Sequence, residues 1–258
     1  MMTIADIRSV ALKGFGNAAQ AYARGRPDYP DEMLNWLRRD LEIGPSKTAI
    51  DLGAGTGKFT KLLLQTDARI IAVEPVDAMR AELAASLPGV RVIAGTAQSM
   101  ALSNGTGDAV ICAQAFHWFA TELALAEIHR VLKPGGRLGL VWNVRDDSVD
   151  WVAAITKIIT PYEGDAPRYY KGDWRRPFAG RLFSDLIEAR FAYQHLGTAQ
   201  QVIVDRFLSV SFIAALPDDE RLRVAEQLKE LISTHPELRG RETISFPYQT
   251  HAYQCSRK

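Results

Sequence analysis

The stretch Ile50-Asp51-Leu52-Gly53-Ala54-Gly55-Thr56-Gly57-Lys58 decides how this chain is read. It begins as an apolar strand and turns through closely spaced glycines. It then enters the helix-compatible run Lys58-Phe59-Thr60-Lys61-Leu62-Leu63-Leu64. A strand–turn–helix unit of this kind brings bare backbone up to a ligand. The turn reads GxGxG. A dinucleotide site asks for GxGxxG, and a phosphate loop closes on GK followed by Ser or Thr; neither pattern is met. Asp51 stands directly before the turn, where a carboxylate repels phosphate and favours a cationic ligand.

Working outward, strands and helices alternate. Thr48 to Leu52 reads as a first strand, and Arg69 to Glu74 as a second that runs into Pro75. Val90 to Ala94 is a third. Asp108 to Ala113 is a fourth, whose near-continuous apolar run suits a parallel sheet covered on both faces. Arg137 to Trp142 is a fifth. Helical patterns start near Asp31, at Lys58 and at Asp77, and cover Glu122 to Leu132, where Lys133-Pro134-Gly135-Gly136 ends the run. The region from 48 to 142 is therefore expected to be a doubly wound α/β core.

Residues 1 to 45 read as helical and partly irregular. From Arg145 to Arg181, charges mix with Trp151, Tyr162, Tyr169, Tyr170, Trp174 and Phe178. That many rings fit a lid or cleft wall, or else a surface helix with loops packed on the core. Ala189 to Leu196 reads as a sixth strand. Val202 to Leu216 and Asp218 to Thr234 read as helices. Thr243 to Cys255 supplies a late strand, in which Pro247 points to an edge position or a break.

Composition sets limits. The 258 residues are 47 % apolar and 24 % charged, with 31 basic against 30 acidic residues and a net charge of +1. This is globular composition, and it offers no strongly basic surface for nucleic acid. The small basic spots Trp174-Arg175-Arg176 and Arg239-Gly240-Arg241 build no aromatic–basic track. No apolar run reaches membrane-spanning length and the start lacks a signal-peptide pattern. A cytoplasmic chain without membrane insertion, monomeric or homodimeric, is the expectation. Cys112 and Cys255 give no disulfide framework, and no metal-ligand spacing occurs, so no metal site is expected.

Further polar features follow the strands in an order suited to one ligand site at their carboxyl ends. Glu74 closes the second strand, 21 residues after Gly53. A carboxylate there can accept from both hydroxyls of a ribose. Gly95-Thr96-Ala97-Gln98 follows the third strand, where backbone and a polar side chain can read an adenine edge. Gln114-Ala115-Phe116-His117-Trp118-Phe119 follows the fourth.

The glycine turn resembles motif I of the class I S-adenosylmethionine-dependent methyltransferases. The AFHWF stretch and Arg130-Val131-Leu132-Lys133-Pro134-Gly135-Gly136-Arg137-Leu138 are similar to the type 11, UbiE-like group. So is the lead-in from Ala18 to Pro30, and Phe246 to Thr250 echoes some of these enzymes. The resemblance implies a Rossmann-like fold: a mostly parallel seven-stranded sheet, helices on both faces and added helices in the C-terminal half. It implies one methyltransferase domain over 1–258, with a cofactor core at about 46–142, an N-terminal cover at 1–45 and an acceptor-side elaboration at 145–258. It implies S-adenosylmethionine as cofactor and S-adenosylhomocysteine as product. Gly53, Ala54, Gly55, Thr56 and Gly57 would approach the cofactor's amino-acid portion, and Asp51 would organise the turn or the ammonium group. Glu74 would hold ribose, Pro75 and Val76 would flank adenine, and Thr96, Ala97 and Gln98 would complete that end. Gln114 would lie beside the methionine end. Tyr22 and Arg26 would fold over the cofactor.

The expected reaction is methyl transfer to a small organic acceptor, which asks the protein for alignment and exclusion of water. His117 is the candidate catalytic base, since imidazole titrates near neutral pH. The alternative is that it packs between Phe116 and Trp118 and shapes the pocket. Tyr22, Tyr169, Tyr170 and Trp174 are candidates for the acceptor cavity. Two other functions stay open at this point: a cofactor-binding regulatory or scaffold protein without transfer activity, and a nicotinamide-dependent oxidoreductase.

Overall fold

A computed structural model describes residues 26–258. Its strands are β1 (Thr48–Leu52), β2 (Arg69–Val73), β3 (Arg91–Ile93), β4 (Gly107–Ala113), β5 (Leu132–Arg145), β6 (Ile187–Gly197) and β7 (Ile244–Ser256). They form one seven-stranded sheet in the order β3-β2-β1-β4-β5-β7-β6. The pairs β1–β2, β1–β4, β2–β3 and β4–β5 are all parallel. The chain builds outward from β1 in one direction to β3, then returns beside β1 with β4. That reversal of strand order opens a crevice at the carboxyl ends of β1 and β4. This is the Rossmann-like architecture expected from the sequence.

The first helices are α1 (Glu32–Arg39), α2 (Lys58–Leu63), α3 (Asp77–Ser86) and α4 (Glu122–Val131). The apolar face of α1 buries Met33, Trp36 and Leu37 against Ala49, Phe59, Ile70, Ile111 and Val141. Each such large side chain contributes about 1.5–3 kcal/mol by leaving water. Thr121 caps α4, its hydroxyl accepting from the Ala124 amide at 3.2 Å. At the amino ends of the strands, Asp108 accepts from the Thr48 amide at 2.9 Å and from Lys133 Nζ at 2.7 Å. That carboxylate ties the Lys133-Pro134-Gly135-Gly136 stretch to β1.

The described residues fall into two compact units. One holds residues 26–28, Val144–Ala166 and Ala192–Gln249; the other holds Tyr29–Asn143, Pro167–Phe191 and Thr250–Lys258. The first has its own core. Trp151, Ile155 and Ile159 of α5 (Asp150–Ile159) pack with Val202, Phe207, Val224, Leu228 and Phe246. Val224 and Leu228 come from α6 (Asp218–Thr234), which has the span read from the sequence.

Three local expectations change. The expected helix from 202 to 216 is broken into a π-helical turn at Gln200–Asp205, a short turn at Arg206–Leu208 and another at Ser211–Ala214. The Ser209 hydroxyl donates to the Arg206 carbonyl at 2.7 Å, and Val210 is extended, which stops the helix. Pro247 marks neither an edge nor a break: β7 is continuous and lies between β5 and β6. The Pro247 carbonyl still accepts from the Asp146 amide at 3.2 Å, so the missing N–H does not interrupt that flank. Finally, β5 starts at Leu132, earlier than expected, because Leu132 pairs with Gly107 across a register irregularity.

Candidate active site

The turn after β1 is held in place by Glu74. Its Oε2 accepts from the Gly55 amide and its Oε1 from the Val76 amide, both at 2.9 Å. A carboxylate offers about four acceptor positions, so each oxygen retains capacity for a further donor such as a ribose hydroxyl. Glu74 is 4 % exposed, and burial, its largest influence, raises its pKa against those two bonds and Arg80. Asp51 is fully buried. Its Oδ2 accepts the Thr60 hydroxyl at 2.6 Å, and Oδ1 has no partner among the described residues. Burial pushes its pKa up to about 7, the Thr60 bond opposes that, and nearby Glu74 adds to it.

The glycines divide into two kinds. All three have left-handed backbone, with φ of +73° at Gly53, +58° at Gly55 and +88° at Gly57. A Cβ at Gly53 would lie 2.8 Å from Ala115 Cβ, and one at Gly57 would lie 2.9 Å from Leu83 Cγ. Those two positions are closed by the protein itself. At Gly55 the nearest atom would be Met79 Sδ at 3.8 Å, an ordinary van der Waals contact, so of these three only Gly55 leaves room for a further atom. Ala54 and Thr56 are buried within the turn.

Pro75 is exposed and Val76 half-buried beyond Glu74. Thr96 and Ser99 exchange backbone bonds at 2.9 and 3.1 Å, making a tight turn. In it Ala97 is buried, Gln98 half-buried and Thr96 exposed. Gln114 has φ +57° and its amide bonds the Val141 carbonyl at 2.7 Å. A non-glycine residue held in that region at a strand end is the kind of strain that collects at functional sites. Arg26 Nη2 donates to the Ser209 carbonyl at 3.3 Å. Tyr22 lies outside the described residues.

His117 sits in the 3-10 turn Phe116–Trp118. Its Nδ1 accepts from Trp142 Nε1 at 3.0 Å. Indole only donates, so Nδ1 carries no proton and a neutral ring is protonated at Nε2. Sequence reading missed Trp142, placing it only at a strand end. That indole is 1 % exposed and packs 4.7 Å from Trp174 and 4.8 Å from Tyr169. The Tyr169 hydroxyl in turn bonds the Tyr253 hydroxyl at 2.6 Å and His251 Nδ1 at 2.7 Å. Tyr169 and Trp174 thus belong to one buried ring cluster, while Tyr170 is exposed. Nothing in the local sequence pattern ties residues 142, 169 and 253 together.

Two buried carboxylates beside an open backbone position make an acidic cradle. It suits a cationic nucleoside and disfavours a pyrophosphate. The Methyltransf_11 family profile, a methyltransferase domain, matches residues 50–140. An uncharacterized methyltransferase-like protein of Schizosaccharomyces pombe is 37 % identical over 96 % of this chain and 97 % of its own. The chain belongs to the class I S-adenosylmethionine-dependent methyltransferases of the Methyltransf_11 family. An uncharacterized methyltransferase of Mycobacterium tuberculosis is 36 % identical over 92 % of both chains. The YcgJ protein of Bacillus subtilis has the same fold, with a TM-score of 0.57 at 20 % identity over 89 % of this chain and 99 % of that one.

The enzyme transfers a methyl group from S-adenosylmethionine to an acceptor and leaves S-adenosylhomocysteine. The cofactor, when bound, supplies an electrophilic methyl on its sulfonium. The protein's part is to hold and orient both reactants and to exclude water. Among the described residues, no helix is long and apolar enough to cross a membrane.

Proposed function

We propose that Gly55, Glu74, Asp51 and the turn Gly53–Gly57 hold the cofactor, and that the acceptor is aligned by groups after β4. The observation that carries this reading is the joint hold of Glu74 on the Gly55 and Val76 amides. It presets a ribose-binding carboxylate beside the one glycine of the turn that leaves room for a further atom. In this assignment Pro75, Val76, Thr96, Ala97 and Gln98 flank the adenine, Gln114 lies at the methionine end, and Tyr22 and Arg26 complete the cofactor site. The AFHWF and KPGG stretches support placement in the UbiE-like group. The chain acts as one methyltransferase domain, with the cofactor core at 46–142 and acceptor choice in the segments outside it. Its partner is a small molecule rather than nucleic acid, it is a monomer or homodimer, and its compartment is the cytoplasm.

His117 is assigned to this site as a positioning group. The Trp142 bond favours that role over proton removal, because the only unprotonated nitrogen of the neutral ring is already engaged. Accepting a proton there requires breaking that bond or turning the ring. The test of the overall reading is transfer of labelled methyl from S-adenosylmethionine into a panel of small organic acceptors. Labelled product that disappears with Glu74→Ala supports it. Product formation untouched by Glu74→Ala and Gly55→Val refutes the assigned site.

A further inference from the structure

A second set of polar groups lies in the unit that holds Val144–Ala166 and Ala192–Gln249, and no role above uses it. Arg145 is the last residue of β5, Arg206 opens the short turn Arg206–Leu208, and Tyr248 lies in β7. Arg206 is 8 % exposed and Tyr248 2 %. Among the described residues, nothing bonds Arg206 Nε, Arg206 Nη1 or the Tyr248 hydroxyl. The two guanidinium groups flank one ring: each has its central carbon 5.4 Å from the centre of Phe207. Burial and then repulsion from Arg206 lower the pKa of Arg145, so the cations lie close enough to oppose one another.

Among the described residues, neighbouring acids do not resolve this. Asp147 Oδ1 is 3.9 Å from Arg145 Nε, beyond hydrogen-bond range, and accepts the Thr156 hydroxyl. Glu163 also acts on Arg145 as a charge, more weakly than Asp147 does. Burying a guanidinium without an acceptor is costly. Phe246 stacks on Tyr248 at 4.8 Å, and such apolar walls raise the cost while strengthening any ion pair that forms. An arginine fork matches the paired oxygens of a carboxylate or phosphoryl group, and a tyrosine hydroxyl adds a third donor.

We propose that Arg206, Arg145 and Tyr248 form a receptor for an oxyanion, a carboxylate or phosphoryl group. The anion supplies the acceptor that Arg206 Nε and Nη1 lack among the described residues, and a neutral analogue leaves those two atoms unbonded.

The test uses the full chain saturated with S-adenosylhomocysteine and titrated calorimetrically with succinate, succinamide and inorganic phosphate. Binding of succinate assigns a carboxylate and binding of phosphate a phosphoryl group, with the neutral succinamide silent. Arg206→Gln is expected to weaken the bound anion about tenfold or more while S-adenosylhomocysteine affinity is unchanged. Arg206→Met is expected to raise Tm without anion and to abolish the Tm rise that anion causes. Tyr248→Phe, which keeps the ring and removes the unbonded hydroxyl, gives the same reading if the arginine variants do not fold. Absence of anion binding, or equal affinity in wild type and variants, overturns the receptor. A parallel fall in S-adenosylhomocysteine affinity also overturns it, by moving the arginines to the cofactor. Failure of the wild type to bind S-adenosylhomocysteine at all strikes the methyltransferase reading itself.

Discussion

Alanine at Gly53 and alanine at Gly55 should fail in different ways. Both positions have left-handed backbone, which costs an L-residue about 1–2 kcal/mol. At Gly55 that is nearly the whole effect on stability, since the new methyl would meet only Met79 Sδ at 3.8 Å. In a domain of this size Tm should fall by about 2–8 °C. At Gly53 the methyl would sit 2.8 Å from Ala115 Cβ, a contact that forces the turn or β4's end to move. Overpacking of that kind adds about 1–3 kcal/mol, for a total of about 2–5 kcal/mol. Ala115→Gly in the Gly53→Ala background should recover most of the added part. For cofactor binding the order reverses: Gly55→Ala, whose methyl occupies the room left at the turn, should lose S-adenosylhomocysteine affinity by more than its stability loss explains. Thermal unfolding, the double-mutant cycle and calorimetric titration read all three quantities. Equal Tm losses, no rescue by Ala115→Gly and wild-type affinity in Gly55→Ala would refute the division of the glycines.

The remaining predictions concern charge and proton transfer. Asp51 has its folded pKa raised by burial to about 7, so between about pH 4 and 7 the native state holds a proton that the unfolded chain has lost. Its contribution is present at low pH and is lost as pH rises through 7, amounting to about 4 kcal/mol. Asp51→Asn should flatten the unfolding free energy between pH 4.5 and 8 by about 3 kcal/mol, the part lost in that window; parallel profiles for mutant and wild type would sink the assignment. His117→Asn should reduce single-turnover methyl transfer by less than about tenfold and leave its pH profile unchanged. A loss in the range of about 10²–10⁴, typical of general-base assistance, would restore His117 as the base. Trp142→Phe removes the indole donor and should lower the rate about as much as His117→Asn, without adding to it in the double mutant; additive losses would uncouple the pair.

Much of the cofactor region was legible because its signals are local. The apolar runs at 48–52, 69–73 and 108–113 reflect strands buried on both faces, and the glycine turn follows one of them. Glu74 was found by its place at a strand end, but its grip on the Gly55 and Val76 amides depends on how β1 and β2 register. The C-terminal half was harder. Pro247 argues locally against an interior strand, and only the position of its carbonyl against Asp146 shows why β7 tolerates it. The apolar run from 202 reads as one helix, although Ser209 and Val210 interrupt it. Trp142 and Arg206 carried no local signal. Their significance lies in partners made, or missing, far along the chain.

The central claim is that the acidic cradle around Gly55 binds S-adenosylmethionine and its product. Calorimetric titration of the full chain with S-adenosylhomocysteine and with NAD, repeated on Glu74→Ala, tests it most directly. The account predicts saturable S-adenosylhomocysteine binding, weakened at least about tenfold in Glu74→Ala, or about 1.4 kcal/mol, and no heat from NAD. Binding of NAD with none of S-adenosylhomocysteine, or equal S-adenosylhomocysteine affinity in the folded Glu74→Ala variant, would contradict it.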